Sequence, residues 1–437
     1  MGERRDRGTS SPADRAAGLI QHTAAALAGA SEWVLETTDS LEQQLYFRQG
    51  AVHAERQVAL ETNALTVYRD SEAGRGEAVA QLTGHAGDRD RVADALMGAD
   101  LVQNPAYHLP AGGASYPSVG LGAHPPAREE LAAYGAALEQ RVVALGGVVS
   151  HVELFSSEQQ DALLASSGRR HTWSGTRVSV EVVVAATNGP PFELKLLRRA
   201  RRLSDLLPDD VLEGAVKAVH DRAAAQLPPS GRMAVVLPAV ELAHLMDVVR
   251  ARANAQMLHQ GLFAHRVGDP ILEARGDTIT MAQDALLPYA EASAPTDTST
   301  VPGRRTTFLE AGHLVRALAT PQYAAYLGVE PTGPLGTLDW HPGTTLRRDL
   351  LADGPVLEVW GLSSSHPDPL SGDLAAEIRF GYLHNGGQCT PVVGGGLSAN
   401  VMELLADCRL AREMESHPGY RGPSAARFPG VQVAGGA

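Results

Sequence analysis

The stretch from Gly231 to Asp284 constrains this chain more than any other. It opens on a short apolar run, Met233 to Leu237, that reads as a buried strand. Pro238 comes next, where proline suits the first position of a helix. Apolar residues then recur at helical spacing: Val240, Ala243, Val248, Ala251 and Ala255, with Leu245 and Met246 widening the stripe. This periodicity predicts a helix over 238–258. Beyond Gly261 the chain turns through Gly, Asp and Pro and returns as a short strand, Thr278 to Met281, followed by Asp284. A strand, a helix and a return strand carry the middle of the molecule.

The flanks read as alternating helices and antiparallel strands. Residues 1–13 are polar and read as a disordered tail. A helix over Asp14 to Ala28 follows, with Asp14 as its N-cap and Gly29 as its stop. Short strands are expected at Glu32–Thr38, Gln44–Gln49, Leu65–Arg69 and Glu77–Leu82, then a helix over Arg89–Leu101. Residues 111–127, rich in Gly and Pro, read as a linker. A long helix over Arg128–Leu145 precedes strands at Val148–Phe155 and Val178–Ala186, and Pro208–Gln226 is amphipathic. The run Arg198 to Arg202 is the one basic cluster, read as a solvated or ion-paired loop, with contact to phosphate or an acidic peptide as the alternative. Residues 285–305 read as a mobile loop, and Phe308–Ala319 and Thr344–Leu351 as short helices. Strands at Leu357–Leu362, Leu374–His384 and Cys389–Val393 and a helix over Asn400–Arg409 close the pattern. The fold class is α+β: an N-terminal α+β domain over 14–225 and a β-rich domain over 226–437 built around the central helix.

Composition excludes several classes. A net charge of −13 argues against a general nucleic-acid binder, which needs a basic surface. Two cysteines, Cys389 and Cys408, are too few for a disulfide framework. No apolar run approaches the roughly 20 residues of a membrane helix. The N-terminus is charged and lacks the apolar core of a signal peptide, so a cytoplasmic location is expected.

Several short motifs, taken in order, resemble the TldD/PmbA family. They are Thr66-Val67-Tyr68-Arg69-Asp70 with Gly74-Arg75-Gly76, and Asn104-Pro105-Ala106-Tyr107-His108-Leu109-Pro110. Further on come Ser371-Gly372-Asp373, Gly381-Tyr382-Leu383, Pro391-Val392 and Leu397-Ser398-Ala399-Asn400. The C-terminal block departs from the family where Leu374 and Ala375 replace Phe and Ser and Ala399 replaces Gly. The resemblance implies a two-domain fold with large curved, largely antiparallel sheets, and two branches that pair as a heterodimeric peptidase. In the TldD branch the central helix carries a His-Glu-x-x-x-His motif that binds zinc. Here the matching residues are His244-Leu245-Met246-Asp247-Val248-Val249. Leu and Val offer a metal no lone pair, so the chain resembles the PmbA (TldE) branch that lacks the metal site. The resemblance further implies substrate or partner contacts at Gly372, Asp373, Tyr382 and Asn400, zinc held by a TldD-type partner rather than by this chain, and unfolded or short peptides as substrate.

Read on their own chemistry, the remaining candidates are sparse. No His is followed by Glu, no Gly-x-Ser-x-Gly elbow occurs, and no P-loop is present. His259 and His265 straddle a glycine turn, and His341, His366 and His384 could converge only in the fold. His244 and Cys389, the latter near His384, are the two candidates for catalysis. Two readings follow. One is a non-catalytic subunit that completes a peptidase chamber. The other is an independent amidase or peptidase of a specialised peptide pathway, using His244 or Cys389. A homodimeric binding protein is a third.

Overall fold

The computed structural model describes residues 11–122, 124–186, 192–363 and 365–436. Its N-terminal part begins with α1 (Pro12–Leu27), capped by Ser11 rather than Asp14; Asp14 instead reaches back to the cap as the other half of a capping box. Then come β1 (Glu32–Arg48), β2 (Ala51–Ser71), β3 (Gly74–Gln81), α2 (Asp88–Asp100), α3 (Arg128–Ala144), β4 (Gly147–Ala165), β5 (Arg170–Ala186), β6 (Glu193–Ala200) and α4 (Asp209–Asp221). The strands form one antiparallel sheet in the order β3-β2-β1-β4-β5-β6. The short strands expected at its start are two long ones. Asp39 and Ser40, which read as punctuation, run straight through because they pair on both sides, with Glu61 and Leu60 and with Gln160 and Gln159. Asp39 also takes an ion pair from Arg15.

Helices cover one face of this sheet. Val178, Val180, Val182 and Val184, at the alternate positions of β5, are buried with Leu131, Leu138 and Val142 of α3 and Leu212, Ala215 and Val216 of α4. At the other end Leu19 of α1 and Val92 and Leu96 of α2 pack on Leu35, Leu65 and Val67.

The C-terminal part runs β7 (Gly231–Pro238), α5 (Ala239–Ala253), α6 (Ala255–His259), β8 (Met281–Asp284), β9 (Arg305–Glu310), β10 (His313–Leu314), α7 (Pro321–Leu327) and β11 (Thr337–Trp340). It continues with β12 (Val356–Ser363), β13 (Asp373–Asn385), β14 (Gln388–Val392), β15 (Gly396–Asn400), α8 (Val401–Ala406), β16 (Arg409–Leu410), β17 (Met414–His417), β18 (Tyr420–Pro423) and β19 (Ala425–Ala434). The order β12-β7-β19-β15-β13, with β12 also pairing β13, closes five strands into a barrel. A second sheet has the order β10-β9-β8-β11-β18-β17. α5 shares one core with both: Leu242, Leu245, Met246 and Val249 are buried with Val235, Leu357, Ile378 and Val433 of the barrel and with Met281, Phe308, Leu338 and Trp340 of the sheet.

Three expectations fail here. The helix expected over 238–258 breaks at Asn254, whose backbone is extended and whose side chain accepts from the amides of Gln256 and Met257 to start α6. The segment Phe308–Ala319 is not a helix: β9 and β10 form a hairpin turned by Ala311 and Gly312, both at positive φ. Residues 285–305 are anchored, not a free loop. Arg201, itself buried, donates to the carbonyls of Ala290, Glu291 and Ser293, and Asp297 accepts from the amides of Ser299 and Val301. No helix among the described residues is long and apolar enough to cross a membrane.

Candidate functional site

The central helix divides its residues sharply. Leu242, Leu245, Met246 and Val249 face the core, and Leu245 and Val249 are 0% and 1% exposed. Val240, Ala243, His244, Asp247 and Arg250 face the opposite way, onto an open groove whose other walls are β6 and β17. Hence Leu245 and Val249, the two positions at which the motif resemblance looks for metal donors, hold apolar side chains that are integral to the packing. A metal placed at His244 finds no second donor from either. Among the described residues no group of three His, Cys, Asp or Glu is placed to hold a metal ion.

His244 is half-buried at the groove wall. Its Nδ1 lies 3.1 Å from Ser365 Oγ and 3.6 Å from Glu241 Oε2, and its ring stacks at a tilt on His366. Glu241 itself is buried and accepts from the Leu362 amide. Burial works against its ionised form, yet the side chains of His244 and Ser365 and the Leu362 amide outweigh it and hold the carboxyl below the usual carboxylate range. Ser, His and Glu in one cluster invite comparison with a hydrolytic triad. In a triad, however, serine and acid sit on opposite ring nitrogens. Here both crowd Nδ1, so the ring cannot relay a proton from one to the other.

Cys389 stands opposite His384 in the β13–β14 hairpin. The imidazole is engaged elsewhere, 3.0 Å from Glu358. Partial burial and the nearby carboxylates of Glu358 and Asp221 push the thiol up, although Lys217 opposes them. That is the reverse of what a thiolate nucleophile needs. The second thiol, Cys408, is buried and pushed up to about 12 by desolvation and by Asp277 and Asp407.

Of the residues singled out for contact, three come together and one does not. Gly372 turns at a φ of 82°, with Asn400 3.3 Å from where a Cβ would stand. The Asn400 amide donates to the Ser371 carbonyl and to Asp373, while its oxygen caps α8 at Met402. This trio ties β13, β15 and α8 at one end of the barrel. Tyr382 lies elsewhere, buried, donating at 2.6 Å to Asp221 and receiving Lys217 at 3.1 Å. It joins α4 to the barrel. His341, His366 and His384 do not converge: His366 meets His244, His384 meets Glu358, and His341 is exposed. His259 packs on Tyr323 and Tyr326, whereas His265 binds the Arg252 carbonyl.

The largest feature at the groove was not foreseen. A cavity of about 600 Å³ opens between β6, α4 and the barrel strands β12 and β13, lined by Leu194, Arg198, Trp360, Arg379 and Phe380 among others. Arg198, Val240 and His417 also line the adjoining hollow over His244, so the two share a wall. The basic run was visible in the sequence; that its first residue faces a groove rather than solvent was not.

The comparisons agree with this architecture. Residues 230–435 match the family described as the PmbA/TldA metallopeptidase C-terminal domain. A proposed modulator of DNA gyrase from Bacteroides thetaiotaomicron superposes with a TM-score of 0.80 at 15% identity, over 97% of this chain and 99% of the other. One from Thermotoga maritima gives 0.80 at 17% identity, over 97% and 99%. TldE from Thermococcus kodakarensis gives 0.77 at 17% identity, over 95% and 100%. At these identities the likeness is one of fold. No curated protein matches the sequence. Motif order, barrel and C-terminal domain agree: residues 230–435 belong to the TldD/PmbA family's C-terminal domain, and the chain as a whole shares the fold of its solved neighbours.

Proposed function

We propose that this chain is the TldE-like, non-catalytic subunit of a heterodimeric zinc metallopeptidase. In this reading a TldD-type partner holds the zinc and cleaves peptide bonds in unfolded or short peptides, and this chain forms part of the chamber around them. One observation carries the reading: Leu245 and Val249 fill the core with 0% and 1% exposure where donors would have to stand. The rest of the scaffold is complete. A site emptied on an intact scaffold is what a supporting subunit retains. The reading of an independent amidase is supported less, because both acid and hydroxyl sit at one nitrogen of His244 and the Cys389 thiol is raised.

The test is to express the chain alone and together with a TldD-type subunit, purify each, and measure zinc and peptide hydrolysis. The expected result is a stable pair with about one zinc and peptidase activity, and neither in the isolated chain. Stoichiometric zinc or turnover in the isolated chain overturns the proposal, as does failure to form a pair.

A further inference from the structure

A chain of net charge −13 gathers cations in one place. Along the groove from the barrel to the face of α5 stand Lys195, Arg198, Arg199, Arg250, Arg347 and Arg379, against three carboxylates, Asp210, Asp247 and Glu415. Four of the cations have a carboxylate within 4.0 Å: Lys195 at Glu181, Arg199 at Glu291, Arg250 at Asp247 and Arg347 at Glu358. Arg198 and Arg379 have none among the described residues, and both line the larger cavity. Burial lowers the pKa of Arg198, although the charge of Glu415 opposes the shift. Arg198, half-buried and donating only to the Leu197 carbonyl among the described residues, and Arg379, exposed at the same wall, are both free of a carboxylate and open to an anionic ligand.

The same wall carries apolar and backbone features that narrow the ligand. Leu194, Leu196, Trp360 and Phe380 give the cavity an apolar lining. Trp360 Nε1 is buried with no acceptor among the described residues. β6 is the end strand of its sheet, and among the described residues it pairs only with β5, along 178–185. Its other edge therefore offers unpaired backbone groups beside the cationic wall, a template for an added strand. A nucleic acid would meet the charge but would leave the backbone groups of the strand edge unpaired.

We propose that this groove binds an extended acidic peptide segment, laid beside β6, with its carboxylates on Arg198 and Arg379 and its apolar side chains against Trp360 and Leu194. The proposal names a substrate class for the chamber subunit and rests on that reading for the fate of the peptide, but binding itself needs neither partner nor zinc. The experiment is fluorescence anisotropy on the full chain, alone and paired, with a labelled hexapeptide of alternating Leu and Glu and its Leu/Lys counterpart. The acidic peptide should bind and weaken steeply with added salt, and the basic one should not bind. Arg198→Gln with Arg379→Gln should weaken binding by about tenfold or more, with Arg56→Gln on exposed β2 as the unaffected control. Arg379 is exposed, so Arg379→Gln alone tests the groove even if the double variant misfolds. Equal binding of the two peptides, wild-type affinity in Arg379→Gln, or displacement of the peptide by a single-stranded oligonucleotide at equal charge concentration would each overturn the proposal. Loss of pairing with intact peptide binding would instead count against the subunit reading alone.

Discussion

The two sides of α5 are made of the same helix and obey different rules. On the inner side Leu242, Leu245, Met246 and Val249 meet side chains from the barrel and from the second sheet, and none is more than 1% exposed. On the outer side Val240, Ala243, His244, Asp247 and Arg250 border an open groove. Substitution is limited by volume and polarity on the inner side and by ligand chemistry on the outer. Packing holds the inner side whatever the outer side does, so the helix persists however its outer residues change. Changes at 245 and 249 therefore act on folding, and changes at 244 act on the groove and, through Glu241, only weakly on stability.

The largest effect should come from restoring the family motif. Leu245→Glu with Val249→His places an ionisable acid and an imidazole among Val235, Phe308, Trp340 and Ile378. A buried charge without a partner costs several kcal/mol, so the expected outcome is a loss of about 4 kcal/mol or failure to fold. Urea unfolding measures it. A folded variant that binds zinc would break the comparison, since it would show that the inner side can turn outward.

Glu241 marks the boundary between the two sides. Buried itself, it faces His244 and Ser365 and binds the Leu362 amide. Its carboxyl lies below the usual range, against the pull of burial, because those groups favour the ionised form. A carboxyl lowered by folding stabilises the fold above its unfolded pKa of about 4.3 and loses that contribution as pH falls through the folded value. Glu241→Gln keeps an oxygen for the Leu362 amide and removes the charge. The variant should be less stable by about 1–2 kcal/mol at pH 7. The gap between the two proteins should close as pH drops below about 4. A gap independent of pH from 3 to 7 would mean the charge contributes nothing and Glu241 belongs with the inner, packing residues.

How much of this was legible in the sequence varies with the kind of signal. The buried strand Met233–Leu237 and the helix after it were plain, because apolar spacing reports burial directly. The break at Asn254 was hidden, since Ala255 and Leu258 carry the same spacing past it; what ends α5 is a tertiary bond, the Ala255 amide to the Leu318 carbonyl. β19 escaped because Pro429 and Gly430 interrupt its pattern, although Phe428, Val431 and Val433 are buried in the barrel. The apolar replacements at 245 and 249 were readable as missing donors, but their place in the core was not. Least legible was the groove. Arg198 and Arg379 lie far apart in sequence and on different sheets, and only the fold brings them to one wall.

The smallest effect should come from His244, and it sharpens the comparison most. Its side chain is 40% exposed, with a single hydrogen-bond contact to Ser365. Replacing it by Ala removes no core volume and leaves Glu241 bonded to the Leu362 amide. It removes one of the groups that favour the Glu241 carboxylate, while Ser365 and the Leu362 amide remain, so the expected loss is about 0.5–1 kcal/mol at pH 7, smaller than that of Glu241→Gln. In the pair, zinc content and peptide hydrolysis should match wild type if the donors belong to the partner, as the proposed function has it. A drop in zinc with unchanged stability would place His244 at a metal shared between subunits, and would move the outer side of α5 from groove wall to active site. A drop in peptide affinity alone would leave the zinc reading intact and assign His244 to the groove.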